Sequence, residues 1–294
     1  MNLMSNQQKF LITGATGYTA GYVIPELLKR GAQVRGLVHK IDERSKKLEE
    51  QGVEVVQGDV NDFYAVSNAL KGITGVYFIY PILTPGILTG TSYLVQAARE
   101  EGVRNIVNMS QISARREAKS NGARDHWVAE RMLDLSGLKV SHIRPTFFAE
   151  WLIYSDTIKT QDKVILPFGE GRYAPIAAED QGRVIAELLL NPERHEGKIY
   201  PLYGPVEYNV FDLADILSEE LGRKITYEPI SIETYQAEAH KQGYHPHFIQ
   251  HISSVAQDCR DGVFAGTNSA VRDITGREPL GMREFIRKHR SYFE

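Results

Sequence analysis

A chain of 294 residues has room for one large α/β domain, or for one with a smaller companion. The formal net charge of −3 gives no sign of a surface for nucleic acid or for an anionic membrane. The single cysteine, Cys259, excludes an internal disulfide and a cysteine-built zinc site, and fits a reducing compartment.

Residues 1–9 are polar and lack the apolar core of a secretory signal, and no apolar run approaches a membrane span. The expectation is a cytoplasmic protein. The first ordered stretch is Lys9-Phe-Leu-Ile-Thr-Gly-Ala-Thr-Gly-Tyr-Thr-Ala-Gly21. Phe10, Leu11 and Ile12 read as a short buried strand, and Gly14, Gly17 and Gly21 turn the chain into a helix over 19–29. Strand, glycine turn and helix together make a dinucleotide cradle. Gly14 permits the tight turn, and Gly17 lets the backbone approach a pyrophosphate. Ala20 or Gly21 lets the helix pack on the strand, and the helix N-terminus attracts the anion. Thr16 and Tyr18 lie in the same turn and join the cofactor candidates. Pro25 deletes one hydrogen bond of this helix, and Gly31 ends it.

The next strand covers 33–38. In a dinucleotide fold the residues after it read the adenosine ribose: an acid there selects NAD, cations accommodate the 2′-phosphate of NADP. Here stand His39 and Lys40, then Arg44, with the first acid, Asp42, arriving late. This favours NADP(H) with NAD(H) still admissible; the other reading is a solvated, mixed-charge helix start. A strand over 52–58 ends at Asp59 and Val60. Asp59 either accepts from an adenine amino group or caps a helix over 61–70. The strand 75–81 ends at Tyr80-Pro81, beside the expected ribose, and the loop 82–88 borders a substrate.

A helix over 91–101 precedes a strand over 105–110, which ends at Ser110 and Gln111. Asp125 opens a helix through Leu135. On it His126 and Glu130, four apart, share one face, while Val128, Met132 and Leu135 read as core contacts on the other. The pair then either lines a cleft or meets solvent, and helix geometry alone favours solvent. A strand over 139–144 leads to Pro145 and to Phe147, Phe148 and Trp151, which form either an apolar wall for a flat substrate or ordinary core. Beyond it the alternation loosens: a turn-rich connection over 165–172, a helix over 178–190, a strand over 198–203, a helix over 211–221, a short strand over 225–229, then mainly helix. His240, His245, His247 and His251 crowd one stretch, but Pro246 interrupts them and no acid or cysteine completes a ligand set, so a surface or lid segment is expected and no metal site.

These residues carry a resemblance. Ile12-Thr-Gly-Ala-Thr-Gly17, Val34-Arg-Gly-Leu-Val-His39, Gly58-Asp-Val60, His126-x-x-x-Glu130 with Ser136-Gly-Leu138, Ile143-Arg-Pro-Thr-Phe147, Leu166-Pro-Phe-Gly169, Glu179-Asp-Gln181 and Thr275-Gly-Arg-Glu-Pro279 resemble the NmrA-like branch of the atypical short-chain dehydrogenases/reductases. The resemblance implies a Rossmann-type doubly wound parallel sheet over residues 1–152. A smaller α/β C-terminal domain over 153–294 closes a cleft, with part of 172–206 returning to the sheet.

The wider superfamily uses Tyr-x-x-x-Lys, which occurs nowhere in this chain; His126-x-x-x-Glu130 stands at its place, as in the quinone and dye reductases. The implied activity is an NAD(P)H-dependent oxidoreductase that passes hydride to a flat conjugated acceptor such as a quinone or azo dye. The rival is an NADP(H)-binding redox sensor without turnover. The resemblance moves His126 to the cleft as proton donor or nicotinamide positioner, with Glu130 fixing its tautomer and Ser110 nearby. Gly14, Gly17 and Ala20 then seat the pyrophosphate, His39, Lys40 and Arg44 the 2′-phosphate, and Asp59 and Val60 the adenine. Tyr80, Ser110 and Pro145 border the nicotinamide ribose and ring. The expected partners are a small-molecule acceptor and, as an open option, a second copy of the chain; direct nucleic-acid contact and membrane association are not expected.

Overall fold

The computed structural model describes residues 8–294, so residues 1–7 of the segment read above as lacking a signal core lie outside it. Nine strands follow one another along the chain: β1 (Lys9–Ile12), β2 (Gln33–Val38), β3 (Glu54–Gln57), β4 (Gly75–Phe78), β5 (Asn105–Met109), β6 (Lys139–Pro145), β7 (Lys163–Leu166), β8 (Ile199–Leu202) and β9 (Thr226–Pro229). Seven form one sheet in the order β3-β2-β1-β4-β5-β6-β8, and every neighbouring pair is parallel. The order reverses between β1 and β4, which opens a crevice at their C-terminal ends. β7 and β9 make a separate parallel pair.

Strand alternation distributes the apolar side chains. Phe10 and Ile12 of β1 enter the core on one face with Tyr77, Val107 and Ile143, and Leu11 enters the other with Val76, Phe78 and Ile106. On the first face lie α1 (Tyr18–Lys29) and, from far along the chain, α7 (Ala178–Leu190). They touch where α7 carries Gly182, since a Cβ there would lie 2.5 Å from the Tyr22 Cβ. Ala20 is buried in this layer, whereas Gly21 faces open space, so Ala20 is the small residue that packing requires. Between them in sequence come α2 (Glu43–Glu50), α3 (Phe63–Leu70), α4 (Ile87–Glu100), α5 (Asn121–Asp134) and α6 (Asp156–Gln161). Residues of α3, α4 and α5 (Val66, Leu94, Ala129, Leu133) cover the second face.

After α7 come α8 (Pro192–His195), α9 (Val210–Leu221), α10 (Ile232–Lys241), α11 (Pro246–Arg260), α12 (Ala270–Thr275) and α13 (Met282–Lys288). Side chains of α9, α11 and α13 join Phe147, Phe168, Tyr173 and Phe264 in a third core. No helix among the described residues is long and apolar enough to cross a membrane.

Several boundaries differ from the sequence reading. The connection expected over 165–172 begins with β7, which pairs with β9 and so depends on a partner more than sixty residues away. α4 begins at Ile87, shortening the loop before it. α5 begins at Asn121, one turn before Asp125, because the Ser120 hydroxyl caps it by accepting from the Ala123 N–H at 3.0 Å. The buried face of α5 is also the reverse of that expected. Ala123, His126, Ala129, Glu130 and Leu133 are buried, Val128 and Met132 are only half-buried, and Leu135 is 87% exposed.

Candidate functional site

The crevice at the strand ends is a cavity of about 760 Å³ that runs from the glycine turn to α11. Its mouth is set by Thr13, whose hydroxyl donates to the Ile79 carbonyl at 2.9 Å and accepts from the Ile79 N–H at 2.8 Å, tying the ends of β1 and β4 together. Gly14 has φ +56°, and a Cβ on it would press on Ile79 at 3.0 Å. Gly17 is the N-cap of α1 and offers no side chain to the first-turn N–H groups. Those donors face the region where Gly14, Thr16 and Gly17 line the cavity, as an anion requires.

At this end the walls are Leu37, Val38, His39, Arg44, Asp59 and Val60. Arg44 is the one Arg or Lys among the described residues lining the cavity. It is not free: its Nη2 lies 2.6 Å from Asp42 Oδ2, and this bond holds the Asp42 carboxyl below the usual carboxylate range. His39 Nδ1 lies 3.7 Å from Asp59 Oδ2. Asp59 is not a helix cap: its Oδ1 accepts from the Asn61 N–H at 2.8 Å, and Asp62 caps α3 by accepting from Tyr64 and Ala65. Lys40 is exposed and stands off the lining, as do Tyr18 and Ala20. Tyr18 instead meets Tyr154 edge to face at 5.4 Å.

In the middle, Tyr80 lines the cavity with its hydroxyl already engaged. It accepts from Asn61 Nδ2 and donates to the Pro85 carbonyl, both at 2.8 Å. Gly86 (φ +127°) leaves room for that hydroxyl, since a Cβ there would stand 2.4 Å from it.

The far end is largely apolar, and no Asp, Glu, Lys or Arg stands among its described lining residues. Ser110, Gln111, His126 and Pro145 line it, with Phe147, Phe148, Trp151 and Phe264 as an aromatic wall. Phe147 stacks on Phe264 at 4.4 Å and on Phe168 at 4.6 Å, so the Phe147 ring serves both the wall and the third core. α11 closes the end with His251, Ile252 and Val255. It is anchored by a two-pronged bond from Arg115 to Asp258 (2.8 and 2.6 Å) and by Gln250, which accepts from the Asn121 N–H and donates to the Lys119 carbonyl. Three buried polar atoms on these walls have no protein partner: Ser110 Oγ, Gln111 Nε2 and His126 Nδ1. Buried polar groups are normally bonded, so three orphans on one wall mark the place of a polar ligand.

His126 reaches the cavity from a buried helix face, and burial pushes its pKa down to about 4, so the ring is neutral at ordinary pH. Glu130 does not fix its tautomer. Its carboxylate is fully buried and accepts two bonds from Arg144 of β6, at 2.8 and 2.5 Å. That pairing is why α5 can bury the face carrying both residues, a pairing no helix periodicity displays. His251 was also misplaced by the sequence: it is 2% exposed and belongs to the cavity. Among the described residues no three His, Cys, Asp or Glu side chains gather as a metal site.

The model of the NmrA-like family matches residues 6–261. A (4-alkanoyl-5-oxo-2,5-dihydrofuran-3-yl)methyl phosphate reductase of Streptomyces griseus is 28% identical over 287 residues, 96% of this chain and 98% of that protein. Quinone oxidoreductase 2 of Escherichia coli is 28% identical over 77% of this chain and 79% of its own length. The crystal structure of an NADPH-dependent quinone oxidoreductase from Escherichia coli in complex with NADPH superposes with a TM-score of 0.84, at 24% identity, over 96% of this chain and 99% of that one, and shares the fold.

Proposed function

The chain belongs to the NmrA-like family, and from that premise we propose that it is a reductase that takes hydride from NADPH and delivers it to a flat conjugated acceptor such as a quinone or azo dye. One observation carries the reading. A single cavity joins a glycine cradle with an uncapped helix N-terminus to an aromatic end bearing three orphaned polar atoms.

The residues fit a dinucleotide. Gly14, Gly17 and the first turn of α1 hold the pyrophosphate, Asp59 and Val60 border the adenine, and His39 and Arg44 meet a 2′-phosphate, with Lys40 adding charge without contact. Ser110 Oγ and Gln111 Nε2 supply polar contacts at the nicotinamide end, beside Pro145. When bound, the reduced nicotinamide supplies the hydride. The chain's own task is then to align the acceptor against it and exclude water, which Phe147, Trp151 and Phe264 do with flat, apolar faces. His126, buried and neutral, positions the ring end of the cofactor.

Charge sets the acceptor class. The relative from Streptomyces griseus is named for a phosphorylated butenolide. Here Arg44, at the adenosine end and engaged by Asp42, is the one Arg or Lys among the described lining residues, and none of those beside Phe147 and His251 offers a Lys or Arg to a phosphate. This supports an acceptor without a phosphate or other anionic group.

The test is NADPH oxidation by the purified chain across a panel of quinones and azo dyes, with NADH in parallel. The expected result is saturable, acceptor-dependent oxidation that is faster with NADPH. Tight NADPH binding without turnover on any acceptor would replace this reading with that of a cofactor sensor.

A further inference from the structure

Two histidines face the acceptor end, and they differ. His126 Nδ1 is an orphan. His251 is held: its Nδ1 lies 2.7 Å from the Ser120 hydroxyl. That hydroxyl has a second duty, since it accepts the Ala123 N–H at 3.0 Å as the cap of α5. A hydroxyl has one proton to give. The Oγ keeps a second lone pair, but donation to the ring is the arrangement that also places the hydroxyl proton, so we assign His251 Nδ1 as acceptor and Nε2 as the bearer of the imidazole hydrogen. The opposite tautomer would leave the Ser120 proton buried without an acceptor, which costs free energy.

Nε2 has no acceptor among the described residues and is not sealed within protein, and the ring lines the cavity. Space for the ring is made by Gly122 in the first turn of α5, where a Cβ would stand 3.0 Å from His251 Nδ1. The groups around it from both helices (Ser120, Gly122 and His126 of the α5 side, His247 of α11) bring no carboxylate against it, so nothing favours its protonation, and burial opposes it.

We propose that His251 is a catalytic residue of the acceptor site: its Nε2–H donates a hydrogen bond to the acceptor's carbonyl oxygen and stabilises the negative charge that forms there. The proposal rests on the reductase reading above. Hydride from the reduced nicotinamide adds to the conjugated system, the carbonyl π bond breaks, and its electron pair ends on oxygen as a phenolate or enolate. A neutral imidazole keeps its proton, so it stabilises this oxyanion without transferring hydrogen, and the product takes its proton from water. Ser120 is a positioning residue that fixes the tautomer.

The experiment uses the full chain and the variants His251→Leu and His251→Gln. In the protein without cofactor, nitrogen-15 NMR is expected to show His251 protonated on Nε2, bare on Nδ1, and unchanged between pH 8 and pH 5. With a 1,4-naphthoquinone, His251→Leu is expected to lower kcat by about a hundredfold with NADPH affinity unchanged, and His251→Gln, which retains an N–H donor, to recover much of it. With a cationic triarylmethane dye, whose reduction places no charge on oxygen, the Leu variant is expected to turn over like the parent. An Nδ1-protonated or imidazolium ring, equal losses with both acceptors, or no advantage of Gln over Leu overturns the assignment. A parent protein inert to both acceptors overturns the reductase reading itself, while the NMR result still reports the tautomer separately.

Discussion

The two ends of the cavity are built on opposite plans. The adenosine end is exposed and charged, assembled from the turns after β1, β2 and β3, and its charges stand in small compensating pairs such as Arg44 with Asp42. The acceptor end is buried and uncharged, and draws on β5, α5, β6, α11 and Phe264, residues spread over more than 150 positions. Exposed charge gives discrimination at low cost and is screened by salt. Burial makes each polar atom consequential, because an unmade hydrogen bond there is not replaced by water. The first end is suited to recognising a cofactor, the second to acting on what the cofactor meets.

The contrast is most exposed to attack at Arg144. Arg144→Leu removes both short bonds from the fully buried Glu130 and leaves it, among the described residues, only Arg131, whose Nη2 lies 3.5 Å from Oε2, so a loss of about 3 kcal/mol is expected in urea unfolding. Arg144→Leu with Glu130→Leu should restore much of it, since the pair neutralises itself and touches no ligand. Next is Gly17→Val at the exposed end. It fouls the cap where a Cβ already lies 3.1 Å from the Gly14 carbonyl oxygen. NADPH binding is expected to weaken by about a hundredfold (about 2.7 kcal/mol) with the melting temperature of the free protein little changed, as calorimetry and thermal melts would show.

A smaller effect distinguishes the ends by pH. His126 has a folded pKa of about 4 against an ordinary 6.5. Above pH 6.5 both folded and unfolded chains leave it neutral. Between 6.5 and 4 the unfolded chain takes the proton first, so stability falls as pH falls through that window. The melting temperature should drop from pH 7 to pH 5, and His126→Gln should shallow the drop. Smallest is Asp42→Asn. Asparagine still caps α2, but Arg44 loses its counter-charge, and the preference for NADPH over NADH is expected to rise at most a few-fold. An unchanged ratio of the two dissociation constants would separate Arg44 from the 2′-phosphate.

The same contrast decides what the sequence could reveal. Contiguous features were legible: the glycine turn, the strands with two-residue alternation, and the strand ends at Asp59, Tyr80 and Ser110. Features that depend on a distant partner were not. The buried face of α5 was inverted because periodicity treats Glu130 as a solvated charge, and its partner Arg144 lies on another element. The small residues Gly122, Ala123 and Ala129 on that face were the available signal. His251 stood in view among other histidines, yet the role proposed for it depends on Ser120, 131 residues away. Asp62 captured the cap expected of Asp59 because Asp59 turns back on Asn61.

The sheet's last member has a consequence for how the protein is made. β8 adds to β6 only after α7 has passed across α1, where Gly182 meets Tyr22. A nascent chain that has emerged only through β6 carries the whole glycine turn but lacks both its outer strand and the helix that covers α1. The N-terminal half of the chain thus does not by itself contain the complete sheet. A fragment ending before residue 199 lacks β8 and leaves the β6 edge of the sheet unpaired.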